Sequence, residues 1–179
     1  MTFDLENTIA LLERTPAALN ALLRDLPAFW TQSTEGDNTW TVYGVVGHLI
    51  HGEHTDWLPR LHRILNDGET KAFDPFDRLA QERESAGKSL PQLLDEFARV
   101  RAENVQNLRA LELTESDLDR RGLHPSLGPV TLGNLLATWA AHDLTHLHQI
   151  SRIMAHQLRE DVGPWIAFLG VLKCNGHSS

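Results

Sequence analysis

The sequence has no run of basic residues, a single cysteine, and no apolar stretch near the roughly 18 residues that a membrane-spanning helix needs. Each shortage excludes something. Nucleic-acid binding rests on clustered Lys and Arg that displace counterions from phosphates. A chain with 16 Lys+Arg against 24 Asp+Glu, a formal charge of -8 and a pI near 5.6 offers no such surface. Cys174 alone cannot close an internal disulfide, which fits a reducing compartment, and with no motif around it the residue is read as an incidental thiol. The opening stretch MTFDLENTIALLERT carries acids where a secretory leader has basic residues followed by an apolar core. The expectation is a cytoplasmic protein with neither nucleic acid nor membrane as partner. Internal repeats, low-complexity tracts, strand-like alternation and Ser-His-Asp or Cys-His arrangements are also absent.

What is present suits a packed core. Of 179 residues, 41% are hydrophobic and 22% charged, an ordinary globular balance at a length that one domain, residues 1–179, accommodates. Four long segments repeat apolar residues at helical spacing. The first, from about Asp4 to Leu26, carries Leu5, Ile9, Leu12, Leu19, Leu22 and Leu23, with Pro16 expected to kink it or mark a restart. A polar loop follows from Thr31 to Thr39. Thr41 is a candidate N-cap for a second helix through Val42, Val45, Val46, Leu49, Trp57 and Leu61, bent or interrupted at Pro59.

The irregular text from Asn66 to Lys88 predicts a long connection. Ser89 then caps a third helix whose stripe runs from Leu90 through Leu93, Leu94, Phe97, Val100, Val105 and Leu108 to Leu111. Gly122, Pro125, Gly128 and Pro129 make Thr114 to Val130 a second connection. Thr131 caps a last helix running to about Arg159, and the apolar piece Trp165 to Leu172 is placed over one end. The fold class predicted is all-α, a four-helix bundle with long crossover connections.

Ten histidines are the unusual feature of the composition. His142 and His146 stand four apart in the last helix, one turn from each other on one side, which lets two imidazoles reach one ion. On a helical wheel His142 lies at the edge of the arc of Leu135, Leu136, Trp139, Leu147, Ile150 and Ile153, with His146 just inside it. His48 bears the same relation to the apolar arc of the second helix. Two facing helices could therefore present three rings to one cavity, as bundle metal sites do.

Alone, an i, i+4 histidine pair is more often solvated than metallated. His51, His54, His62, His148, His156 and His177 are read as solvated or hydrogen-bonded, on other faces or in polar ends. His51, one turn from His48, is the alternative to it as a ligand or a second lining residue. Glu53 and Asp143 interrupt apolar stripes, and buried carboxylates need partners. Two readings stand evenly for them: acceptors for the outer N–H of ligating histidines, or a structural ion pair with an arginine or a loop cap.

At this point the sequence resembles the DinB-like (DinB/YfiT) family of metal-binding four-helix bundles. The matching pieces are WTVYGVVGHLIHGE at 40–53, with a Trp, a histidine eight residues later and an acid beyond it, and GPVTLGNLLATWAAHDLTHLHQISRI at 128–153, with a His-x-x-x-His-x-x-Gln pattern. The resemblance implies His48 as first metal ligand and His142 and His146 as second and third, the trio the wheel proposes. It further implies an up-down-down-up bundle, frequent homodimers, and thiol S-transfer, thiol-dependent isomerisation or metal-dependent hydrolysis.

Three neutral imidazoles leave open positions on an ion, so a metal-dependent enzyme is the leading expectation, either a transferase using a low-molecular-weight thiol or a hydrolase with a small-molecule substrate. Gln149 would orient a bound group or simply form a polar rim, the rim being favoured, and no general base is singled out. The alternatives are a non-catalytic metal or small-molecule binding stress-response protein and a purely structural bundle. Imidazole suits zinc, nickel, copper and iron alike; one zinc or nickel ion per chain is expected.

Overall fold

The computed structural model describes residues 3–77 and 79–174, so His177 lies outside the described residues. The first amphipathic segment is two helices, α1 (Leu5–Leu12), capped by the Asp4 carboxylate, and α2 (Thr15–Leu23), which restarts with Pro16 in its first turn. There a proline's missing N–H costs nothing. The short α3 (Ala28–Thr31) follows Pro27 within the first connection. Thr41 caps α4 (Val42–Thr55) by accepting the Gly44 N–H at 3.0 Å. The second segment breaks at Asp56 and resumes as α5 (Trp57–Asp67), because Pro59 has no N–H for the carbonyl four residues back.

The connection from 68 to 89 contains a helix that has no apolar period, α6 (Ala80–Ser85). Ser89 and Gln92 then form a capping box that opens α7 (Leu90–Ala110). The second connection is more ordered than its glycines and prolines suggested. It holds α8 (Glu115–Leu118) and an antiparallel hairpin, β1 (Arg121–His124) with β2 (Gly128–Thr131), paired from Arg121 opposite Thr131 to His124 opposite Gly128. Thr131 closes a second capping box with Asn134 and starts α9 (Leu132–His156). The turns at Gly163–Phe168 and Gly170–Leu172 are 3-10 helical, and the second packs on α9. They do not bury the expected apolar cover, since Trp165 is 71% and Phe168 82% exposed.

Contacts fix the helix directions. Leu12 meets Arg101 while Arg24 meets Asp95, so α1–α2 runs against α7. Tyr43 meets the Lys88 carbonyl just before α7, and Glu53 meets Asn104, so α4 runs with α7. His48 meets His142 and Glu53 meets Trp139, so α4 runs against α9. The result is the up-down-down-up arrangement, with α4 packed on both α7 and α9.

Two apolar clusters fill the bundle, one around Trp57, Leu61, Leu108, Leu136 and Trp139, the other around Leu19, Val45, Phe97 and Ile150. Between them, in sequence and in space, lies a polar layer. Arg101 donates to both oxygens of Asp143 at 2.6 and 2.8 Å, to Glu53 at 2.8 Å and to the Leu12 carbonyl at 2.9 Å. Trp139 and Asn104 complete the hydrogen bonds of Glu53. This cross-brace ties α1, α4, α7 and α9 at one level, and the histidines of interest sit beside it.

Candidate metal centre

Because α4 and α9 are antiparallel, His48 comes level with the pair His142 and His146, and one helical turn stacks that pair on a single face. The Nε2 atom of His142 lies 3.1 Å from Nε2 of His48 and 3.0 Å from Nε2 of His146. His48 and His146 are buried, whereas His142 is partly exposed and opens the cluster to solvent. The outer nitrogens are held by glutamines. The Nδ1–H of His146 donates to Gln149 Oε1 at 2.8 Å, and that of His48 to Gln81 Oε1 on α6 at 3.1 Å.

Those bonds fix the tautomers. With the proton on Nδ1, His48 and His146 both present bare Nε2 lone pairs toward His142. A single proton on His142 Nε2 can serve one of them, while its own Nδ1 is buried with no hydrogen-bond partner among the described residues. Burial, then the neighbouring rings and the charges of Arg101 and Arg60, pushes His142 down to about 2, so that ring resists protonation. Burial also lowers His146, opposed by Gln149 and Asp143. Three ring nitrogens turned toward one point suit a cation. Two ligands at tetrahedral directions about 2.0–2.1 Å from a zinc ion would stand roughly 3.3 Å apart, close to the separations found.

Aromatic rings wall the cluster. Trp40 lies 4.8 Å from the His48 ring and stacks on His146 at 6.3 Å, Trp57 meets His142 edge-on at 5.1 Å, and Phe76 meets His48 at 5.2 Å. The rings give onto an open cavity of about 590 Å³, lined also by Asp56, Arg60, His124 and Ser126. Asp56 pairs with Arg60 at 2.6 Å. Burial raises the Asp56 carboxyl above its ordinary range, with Arg60 and His51 opposing.

A family model, the DinB superfamily, matches residues 11–150, which include all three histidines. The chain belongs to the DinB superfamily. Its bundle is similar to that of YfiT from Bacillus subtilis, described as "a probable metal-dependent hydrolase with an unusual four-helix bundle topology", at TM-score 0.71 and 25% identity over 88% of this chain and 87% of that one. It is also similar in fold to TT2238, a four-helix bundle protein, at TM-score 0.58 and 21% identity over 83% of this chain and 98% of that one. No curated protein matches the chain.

Within this DinB-superfamily bundle the other sequence candidates separate cleanly. Glu53 and Asp143 bond to Arg101, so the ion-pair reading holds over a hydrogen bond to a histidine. Gln149 grips the ring of His146 and is buried, so it is neither a rim residue nor free to orient a bound group. His51 is buried but turned toward α6, where its Nδ1 lies 2.9 Å from Glu84; it stays out of the cluster. His54, His62 and His148 are exposed and His156 is half-buried. Cys174 is exposed.

Four lining or supporting residues carried no legible signal: Gln81, Asp56, Arg60 and His124. Gln81 sits in a helix without apolar period. His124 stands at the end of β1, and only Gly122, Pro125, Gly128 and Pro129 marked that stretch.

Proposed function

We propose that the chain is a metal-dependent enzyme acting on a small molecule, with His48, His142 and His146 as the ligands of one divalent ion, zinc or nickel. The observation that carries this reading is the convergence of three Nε2 atoms at a wall of an open cavity. An ion held there would supply a Lewis acid that lowers the pKa of a water or thiol bound beside it.

The protein's own groups divide the remaining work. Gln81 and Gln149 keep both Nδ1 protons in place and so direct the ligating lone pairs. Trp40, Trp57 and Phe76 exclude water from the cluster's flanks. Asp56, whose carboxyl burial makes more basic, is the cavity group suited to accept and hold a proton. Hydrolysis is the leading reaction, supported by the description of YfiT from Bacillus subtilis. Transfer of a group to a low-molecular-weight thiol is the second, favoured by a cavity with room for two reactants.

Elemental analysis of untagged protein tests the centre. About one divalent ion per chain, lost in both His142→Ala and His146→Ala, is expected; no uptake when zinc or nickel is supplied would sink the reading. The metal-loaded protein is then incubated with ester and alkylating substrates, with and without thiols. Turnover that disappears in His48→Ala supports an enzyme, and saturable binding without turnover supports a binding module.

A further inference from the structure

Arg60 and His124 approach the same cavity from different elements, α5 and the tip of the hairpin, and both rest on Phe73. The Arg60 guanidinium carbon lies 5.6 Å from the centre of the Phe73 ring, and the His124 ring meets that ring edge-on at 6.1 Å. Phe73 is buried, so it holds the two polar heads at a fixed spacing.

The chemistry of both heads is donor chemistry. His124 Nδ1 accepts the backbone N–H of Ser126 at 3.1 Å and of Leu127 at 3.2 Å. Its proton therefore sits on Nε2, and a second proton on the ring would break the turn's two hydrogen bonds. Arg60 gives one nitrogen to Asp56, and no acceptor among the described residues takes its other side-chain N–H groups. Arg101, by contrast, has both terminal nitrogens taken, by two carboxylates and a carbonyl. Arg60 has one carboxylate and a cavity. Asp74, the other acid lining the cavity, is drawn off by Arg63 at 2.9 Å.

We propose that Arg60 and His124 form an anion subsite, and that the substrate is a small molecule whose carboxylate docks there while its reacting group reaches the histidine cluster. The inference deepens the proposed function and names its substrate class. Charge supports it. Asp56 and Asp74 are each met by an arginine, Arg60 and Arg63, and an ion held by the histidine cluster would add positive charge to the cavity, so an anion is the complementary guest. The guanidinium's remaining N–H groups and the imidazole N–H suit the two oxygens of a carboxylate.

The test is a set of acid and amide pairs of matched shape, phenylacetate with phenylacetamide and butyrate with butyramide, titrated into the metal-loaded chain and followed by NMR. At least one acid is expected to bind saturably, with its amide weaker by about tenfold or more. Arg60→Gln and His124→Asn should each weaken the acid by a similar factor. In His124→Asn the amide oxygen can still accept the turn's N–H groups, which keeps the hairpin folded. Equal binding of acid and amide, wild-type binding in both variants, or no acid binding at all overturns the proposal.

Metal content is measured on the same samples, and the titration is repeated on chelator-stripped protein. Acid binding that depends on Arg60 in a chain that takes up no metal would sink the metal centre and leave the subsite standing. Metal uptake without Arg60-dependent binding does the reverse.

Discussion

Arg101 grips Asp143 with both terminal nitrogens at 2.6 and 2.8 Å, and Asp143 is the residue that follows His142 on α9. The cross-brace thereby sets the height of the histidine pair against α4. Burial alone would lower the guanidinium's pKa, but the bonds to Asp143 and the charge of Glu53 outweigh it and raise it further.

Replacing Arg101 by Met should therefore cost about 3–5 kcal/mol of folding stability, because two buried carboxylates lose their cation. Urea denaturation measures it. Substituting Glu53→Gln and Asp143→Asn together with Arg101→Met should recover part of the loss, since no unpaired charge then remains. A single Arg101→Met substitution within experimental error of wild type would show that the brace is not needed.

Gln149→Ala removes the acceptor for the His146 Nδ1–H and frees the ring to turn or change tautomer. Metal affinity is expected to fall by about 10–100-fold, as for other outer partners of ligating histidines. Competition with a chromophoric chelator reads it. Gln81→Ala should act in the same direction through His48.

For the metal-stripped chain, the folded values of His142 and His146 both lie below the ordinary 6.5. In the window beneath that value the unfolded chain binds protons that the folded chain refuses. Stability is thus fully present above it and is lost as pH falls, by up to about 1.4 kcal/mol per pH unit for each histidine. Denaturation midpoints measured at a series of pH values from neutral to mildly acidic should decline, and His142→Gln should flatten the decline. An unchanged slope in that variant would show that His142 titrates normally.

Gly122 lies in β1 where a Cβ would come within 2.6 Å of Ile64 Cγ1 and 3.1 Å of the Phe73 ring. Gly122→Ala should cost roughly 1–3 kcal/mol by overpacking. It should also weaken phenylacetate binding, because β1 carries His124 and Phe73 supports it. Thermal melts and the titration described above check the two effects separately.

The helix frame was legible because its signals are local. Thr41, Ser89 and Thr131 announced their helices as caps, and all three accept the expected backbone N–H. His142 and His146 were legible for the same reason, being one turn apart on one face. Arg101 was not. It lies within the stripe of α7 beside Val100, and a charged residue there reads as surface until the acids of α4 and α9 are known to face it. The partners of Glu53 and Asp143 are 48 and 42 residues away, and a sequence of one chain carries no local mark of such a pairing. Gln81 and His124 belong to connections, where hydrophobic period gives no guide to direction.

The long helices supply the histidine cluster, whereas the two connections supply Gln81 behind His48 and, with Asp74, Pro75, Phe76, His124, Pro125 and Ser126, much of the cavity wall. The two jobs are thus written in separate stretches of chain. Exchanging the hairpin from 121 to 131 for one of another shape would remodel the cavity wall and leave the histidines of α4 and α9 in register.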